Sequence, residues 1–160
     1  MVVKADARKN TPVAELRSYM ARFGPKDQKL MKSVRAAVRK RFPTANELAY
    51  DYTSFFVISY SPTERGIDGI VAIAGRPDGV RLYLMEGPRL PDPKKLLLGT
   101  GKQARYLRVE SVSDLAQADV KALIAAAIDK SKTPLPAKGK GRLIMMSDAA
   151  KKKARRKPKK

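Results

Sequence analysis

Apolar residues follow two different periods along this chain. Val13, Leu16, Met20 and Phe23 recur at helical spacing after Thr11-Pro12, an N-cap followed by a first-turn proline, and Gly24-Pro25 ends the run. A second helix is predicted with Asp27 as its cap. Its stripe is Leu30, Met31, Val34, Val38 and Phe42, Pro43 closes it, and Lys29, Lys32, Arg35, Arg39 and Lys40 fall largely off that stripe. From Leu48 the period drops to two. LAYDY (48–52), SFFVISY (54–60), IDGIVAIAG (67–75), VRLYLMEG (80–87) and ARYLRVES (104–111) read as strands, parted by turn chemistry at Ser61–Gly66 and Arg76–Gly79. Helical spacing returns at Val120, Leu123, Ile124, Ala127 and Ile128, in a last helix introduced by Ser113 or Asp114.

Segregated helices and strands predict an α+β fold rather than an alternating α/β one. The expected architecture is an antiparallel sheet of about five strands, with two N-terminal helices and one C-terminal helix packed on one face. Residues 1–10 read as a flexible lead-in, 11–130 as the domain and 131–160 as a basic, disordered tail. Leu143-Ile144-Met145-Met146 interrupts that tail as a short apolar docking segment. Ile70 to Ala74 is apolar on both sides, so covering its second face calls for an extra helix or a homodimer.

Composition narrows the chemistry. The chain has no cysteine and no histidine, which removes disulfides, thiol nucleophiles, thiolate metal sites and the commonest general base. No cofactor is implied, and no spacing ties Ser54, Ser59, Ser61 or Ser111 to a lysine, so an enzyme is not expected. No apolar run approaches membrane-spanning length, and Lys4, Asp6, Arg8 and Lys9 break up any secretory signal; a cytoplasmic protein without a membrane partner is expected.

Net charge is +20 and unevenly spread: +9 over residues 1–41, −1 over 42–129 and +12 over 130–160. Polyanion affinity therefore resides in the front helices and the tail. Lys151, Lys152, Lys153, Arg155, Arg156, Lys157, Lys159 and Lys160 put eight cations into the last ten residues. Such a tail contacts nucleic acid or another polyanion without reading its sequence. Lysine-rich, proline-punctuated tails of this kind resemble those of linker histones and some bacterial nucleoid proteins.

Two further features suggest ligands. Gly99-Thr100-Gly101-Lys102 lacks the earlier glycine and the following Ser or Thr of a Walker A loop, since Leu96 and Gln103 stand there. What remains is an anion nest in which Gly99 and Gly101 free backbone amides and Lys94, Lys95, Lys102 and Arg105 supply charge; a plain tight turn with solvated lysines accounts for the same residues. On the flanking strands, Val80, Leu82, Leu84, Leu107 and Val109 point one way, while Arg81, Tyr83, Tyr106 and Arg108 share the other face. Alternating aromatics and arginines on an open sheet suit base stacking with phosphate contact. They equally suit a self-satisfied surface in which arginine stems cover tyrosines and pair with Glu86 and Glu110.

The block from Tyr50 to Ile128 carries Tyr60-Ser61-Pro62, Arg65-Gly66, Gly79–Leu84, Leu90-Pro91-Asp92-Pro93, Leu97-Leu98-Gly99, Gly101-Lys102 leading into Arg105–Arg108, and the helix Val120–Ala127. With the two leading helices, about 120 residues in all, it resembles the YdhG-like family, a bacterial and archaeal domain of unknown function. The resemblance implies a frataxin-like fold, and some members are described as iron chaperones. An iron-chaperone-like role is thus an alternative, with Glu47, Asp51, Glu64 and Asp68 as the closest-spaced candidate carboxylates. The leading expectation is a non-enzymatic binding or accessory protein that touches nucleic acid through its tail. A domain for a small phosphorylated ligand is the third reading.

Overall fold

The computed structural model describes residues 11–146. The Thr11 hydroxyl accepts the Ala14 amide at 3.1 Å and Pro12 starts α1, Pro12–Met20. Helix α2 runs from Pro25 to Arg41. Its N-cap is Gly24, not Asp27: Pro25 has the φ that a first helical residue needs, so the helix begins earlier and Asp27 falls in its first turn.

The strands are β1 (Asn46–Asp51), β2 (Phe56–Ser61), β3 (Val71–Arg76), β4 (Gly79–Met85), β5 (Ala104–Val109) and β6 (Leu143–Met145). The sheet order is β5-β4-β3-β2-β1-β6. Neighbours from β1 to β5 are antiparallel, whereas β6 lies parallel to β1, pairing Leu143 with Glu47 and Met145 with Ala49. The sheet is therefore mixed and six-stranded, not antiparallel and five-stranded. Residues 131–146, assigned to the tail on composition, account for the difference. Thr133 reaches Asp68 at 3.4 Å, the Gly141 amide donates to the Pro43 carbonyl at 3.1 Å, and the Arg142 amide donates to the Asn46 side chain at 3.0 Å. These contacts bring the chain back to the start of β1, so the β1 edge is filled in parallel.

Helix α3 spans Ala118–Lys130, with Gln117 as its N-cap. Ser113 and Asp114 belong instead to a 3-10 turn, Val112–Ala116, closed by a reciprocal capping box between Ser111 and Asp114.

The three helices of the described residues lie on one face of the sheet. Tyr19 and Phe23 meet Phe56 with ring centroids 6.2 and 6.0 Å apart, and Met31, Val34, Val38, Leu123 and Ile124 close the same core. Burying each of these aliphatic side chains contributes about 1.5–3 kcal/mol. At Gly75 any side chain would run into Phe56 and Met31, so the bare backbone makes room for the aromatic cluster. Ile70 to Ala74 is buried within one chain.

Candidate nucleic-acid interface

The face turned away from the helices is built by strand alternation. Register pairs Tyr50 with Val57, Val57 with Ala74, Ala74 with Arg81 and Arg81 with Arg108, one row across five strands; the next row aligns Leu48, Ser59, Ala72, Tyr83 and Tyr106. Small residues in the middle of both rows let long side chains lie flat. The Arg81 side chain is only 15% exposed, with its guanidinium 4.2 Å from the Tyr106 ring centroid and Nη1 donating to the Tyr83 hydroxyl at 3.1 Å. The two tyrosine rings are 5.2 Å apart and tilted by 45°. All four residues expected to share this face do so.

The layer continues through residues that sequence reasoning missed. Arg76 lies 4.7 Å over the Phe55 ring, Phe55 stacks on Tyr52 at 4.9 Å, and Tyr52 lies 6.3 Å from Tyr50. The period-two spacing of Tyr50 and Tyr52 was the available signal; Phe55 joins them because Thr53, at φ 70°, turns the hairpin tightly. The charge partner also differs from expectation. Arg81, Arg76 and Arg108 share Asp78 at 3.2, 3.6 and 3.9 Å, while Glu86 pairs with Arg89. Slight desolvation works to raise the Asp78 carboxyl, but Arg81, with Arg108 and Arg76 behind it, outweighs this and holds it below the ordinary value. Three guanidinium groups against one carboxylate leave this cluster with two surplus positive charges.

In the Lys94–Arg105 loop two of the four expected cations, Lys94 and Arg105, are engaged within the chain. The Asp92 carboxylate accepts the Leu96 and Leu97 amides at 2.8 and 2.9 Å, so the chain's own anion occupies those donors. Lys94 is bonded to Asp119 on α3 at 2.8 Å, which raises its pKa, and Arg105 Nε donates to the Gly101 carbonyl at 2.8 Å. Gly99, at φ 96°, turns the chain against the Tyr106 ring, and Gly101 passes close to the Ala104 carbonyl. Lys95, at φ 54°, and Lys102 are exposed. The loop's glycines and its aspartate shape a turn that lays Leu98 beside Tyr106.

The four candidate metal carboxylates do not converge. Glu47, buried against the helices, accepts both Arg35 nitrogens at 2.9 Å and the Tyr60 hydroxyl at 2.7 Å, with Arg39 at 3.5 Å. Asp51 faces Arg22 at 2.9 Å, Glu64 pairs with Arg142 at 2.6 Å, and Asp68 accepts the Thr63 hydroxyl at 2.7 Å. Glu47 and Asp51 are about 13 Å apart along one strand. Among the described residues no three His, Cys, Asp or Glu side chains form a cluster suited to a metal ion. On the helical side, Arg17, Lys32, Arg35 and Arg39 line a cleft between α1 and α2.

The tail cations from Lys151 to Lys160 lie outside the described residues. No helix among the described residues is long and apolar enough to cross a membrane. Comparison with family models, with curated proteins and with solved structures finds no match.

Proposed function

We propose that this is a non-enzymatic nucleic-acid-binding accessory protein, acting in the cytoplasm, whose sheet face stacks single-stranded bases and whose tail holds phosphates. The observation that carries the reading is the Arg81–Tyr106–Tyr83 contact: a guanidinium and two aromatic rings packed together on the sheet face turned away from the helices, beside a cluster with surplus positive charge. Stacking on such a layer is worth about 1–3 kcal/mol per base and tolerates any sequence. Arg108, on the same face with its side chain half exposed, supplies a cation for phosphate beside this layer. In its finer form the proposal takes the fold to be YdhG-like and frataxin-like; helices layered on one side of the sheet support this.

Tail and face make separable contributions. Eight tail cations meeting about eight phosphates give a log–log salt slope near −7 on duplex DNA. Anisotropy of labelled single-stranded and duplex DNA at two salt concentrations tests the reading, using the full chain, a chain ending at Met146 and Y83A/Y106A. The shortened chain should keep a weak preference for single strands, which Y83A/Y106A removes. If the shortened chain binds neither DNA, the tail is a tether alone and the sheet face has no part in binding.

A further inference from the structure

The cleft between α1 and α2 is open and cationic. It encloses about 360 Å³, room for a small ligand. Lys32, Arg35, Ala36 and Arg39 line it from α2, each three or four positions from the next and therefore on one stripe of the helix. Ala36 is small and exposed, so the stripe is concave between its longer cations. Arg17 and Val13, the latter 46% exposed, face it from α1.

A buried carboxylate organises two of these cations. Glu47 accepts Arg35 Nε and Nη2 at 2.9 Å each, which fixes the guanidinium, 19% exposed, at the cleft and leaves its Nη1 without a hydrogen bond among the described residues. Arg39 lies 3.5 Å from the same carboxylate. Arg17 and Lys32 are exposed and form no ion pair with a described residue. No acid stands three or four positions from either on its helix, and no acidic side chain lines the cleft. Four cations against one carboxylate leave three surplus positive charges. Lys32 with Arg35, and Arg35 with Arg39, are like-charge neighbours on one helix face, a repulsion that a bound anion relieves.

We infer that this cleft binds a small ligand through a phosphate monoester, with the phosphate oxygens at Arg17, Lys32, Arg39 and the Nη1 of Arg35 and the organic part against Ala36 and Val13. A carboxylate brings one charge and two oxygens, and so does a backbone phosphodiester with its two free oxygens. A phosphate monoester brings about 1.5 to 2 charges and three terminal oxygens, which matches the surplus and the donors better. A guanidinium held in one orientation suits such an oxyanion. The site stands apart from the proposed stacking face, and either can fail alone.

Titration of the isotope-labelled full-length protein with glycerol 3-phosphate at fixed ionic strength, followed by amide chemical shifts, tests this. Saturable shifts should appear at Val13, Arg17, Lys32 and Ala36, with the Tyr83 and Tyr106 amides unmoved. Affinity should be about tenfold lower or more for dimethyl phosphate and for R17E/K32E, which alters two exposed side chains outside the Glu47 cluster. Should charge reversal disturb folding, R17Q/K32Q decides in its place. Shifts confined to residues 151–160, equal affinity for monoester and diester, or no effect of either variant overturns the assignment. So does a response of these amides to single-stranded DNA without one to glycerol 3-phosphate.

Discussion

Arg35 and Glu47, twelve residues apart, meet as a two-bond pair between α2 and β1, with both nitrogen–oxygen distances at 2.9 Å. The Glu47 side chain is 6% exposed, and the Tyr60 hydroxyl takes part of its remaining capacity. This cluster anchors α2, the longest of the described helices, to β1 and β2.

Removing the carboxylate charge leaves a guanidinium poorly solvated and unpaired. Glu47→Gln should cost about 3 kcal/mol in urea unfolding. The double change with Arg35→Met should recover a large part of that loss. An additive double mutant would mean that the pair contributes no coupling.

Tyr60 supplies an alkaline transition. Burial first, then the neighbouring Glu47 charge, hold its phenol well above the ordinary value near 10. The raised folded-state pKa makes the unfolded chain release this proton first. Its contribution is complete below about pH 10 and is lost as pH rises toward the folded pKa. Absorbance titration should leave one tyrosine un-ionised until the far-ultraviolet signal collapses, and Tyr60→Phe should make stability fall less steeply above pH 10.

Asp78 sets the charge of the proposed stacking face. Asp78→Asn should strengthen single-stranded DNA binding and steepen its salt slope by up to about 0.7, one more phosphate contact. Weaker binding would point to Asp78 as the group that orients the three arginines. The carboxyl's depressed pKa places the loss of its arginine pairing in acid, as pH falls below about 3.9 toward the folded value.

The parallel strand β6 depends on Gly141, where an added side chain would collide with the Ala45 carbonyl. Gly141→Ala should release β6 and speed amide exchange at Glu47, which donates to the Arg142 carbonyl at 2.8 Å. Unchanged protection there would show that the strand docks without the close approach. For the same reason a chain cut at Lys130 loses an edge strand together with its tail, and a cut after Met146 separates the two.

Local pattern determined most of the elements. The helical stripe of Leu16, Met20, Met31, Val34 and Val38, and the alternation through Arg81, Tyr83, Tyr106 and Arg108, depend only on neighbours within a turn or a strand, and both reappear in the structure. The 3-10 turn before α3 escaped notice because Ser111 and Asp114 cap one turn as well as they would a helix.

What tertiary structure alone decided is which distant groups satisfy each other. Asp78 rather than Glu86 or Glu110 meets the arginines because the β3–β4 hairpin folds it back over the sheet. Asp92 accepts the Leu96 and Leu97 amides just before the Gly99–Lys102 turn, and Glu47 meets Arg35 and Tyr60 rather than another carboxylate. Leu143–Met145, too short and too isolated among lysines to read as a strand, became one because the β1 edge offered unpaired backbone groups. Hydrophobic period is a property of sequence neighbours, so it can be read along the chain; the pairing of charges and sheet edges is set by chain return, which one sequence does not encode locally.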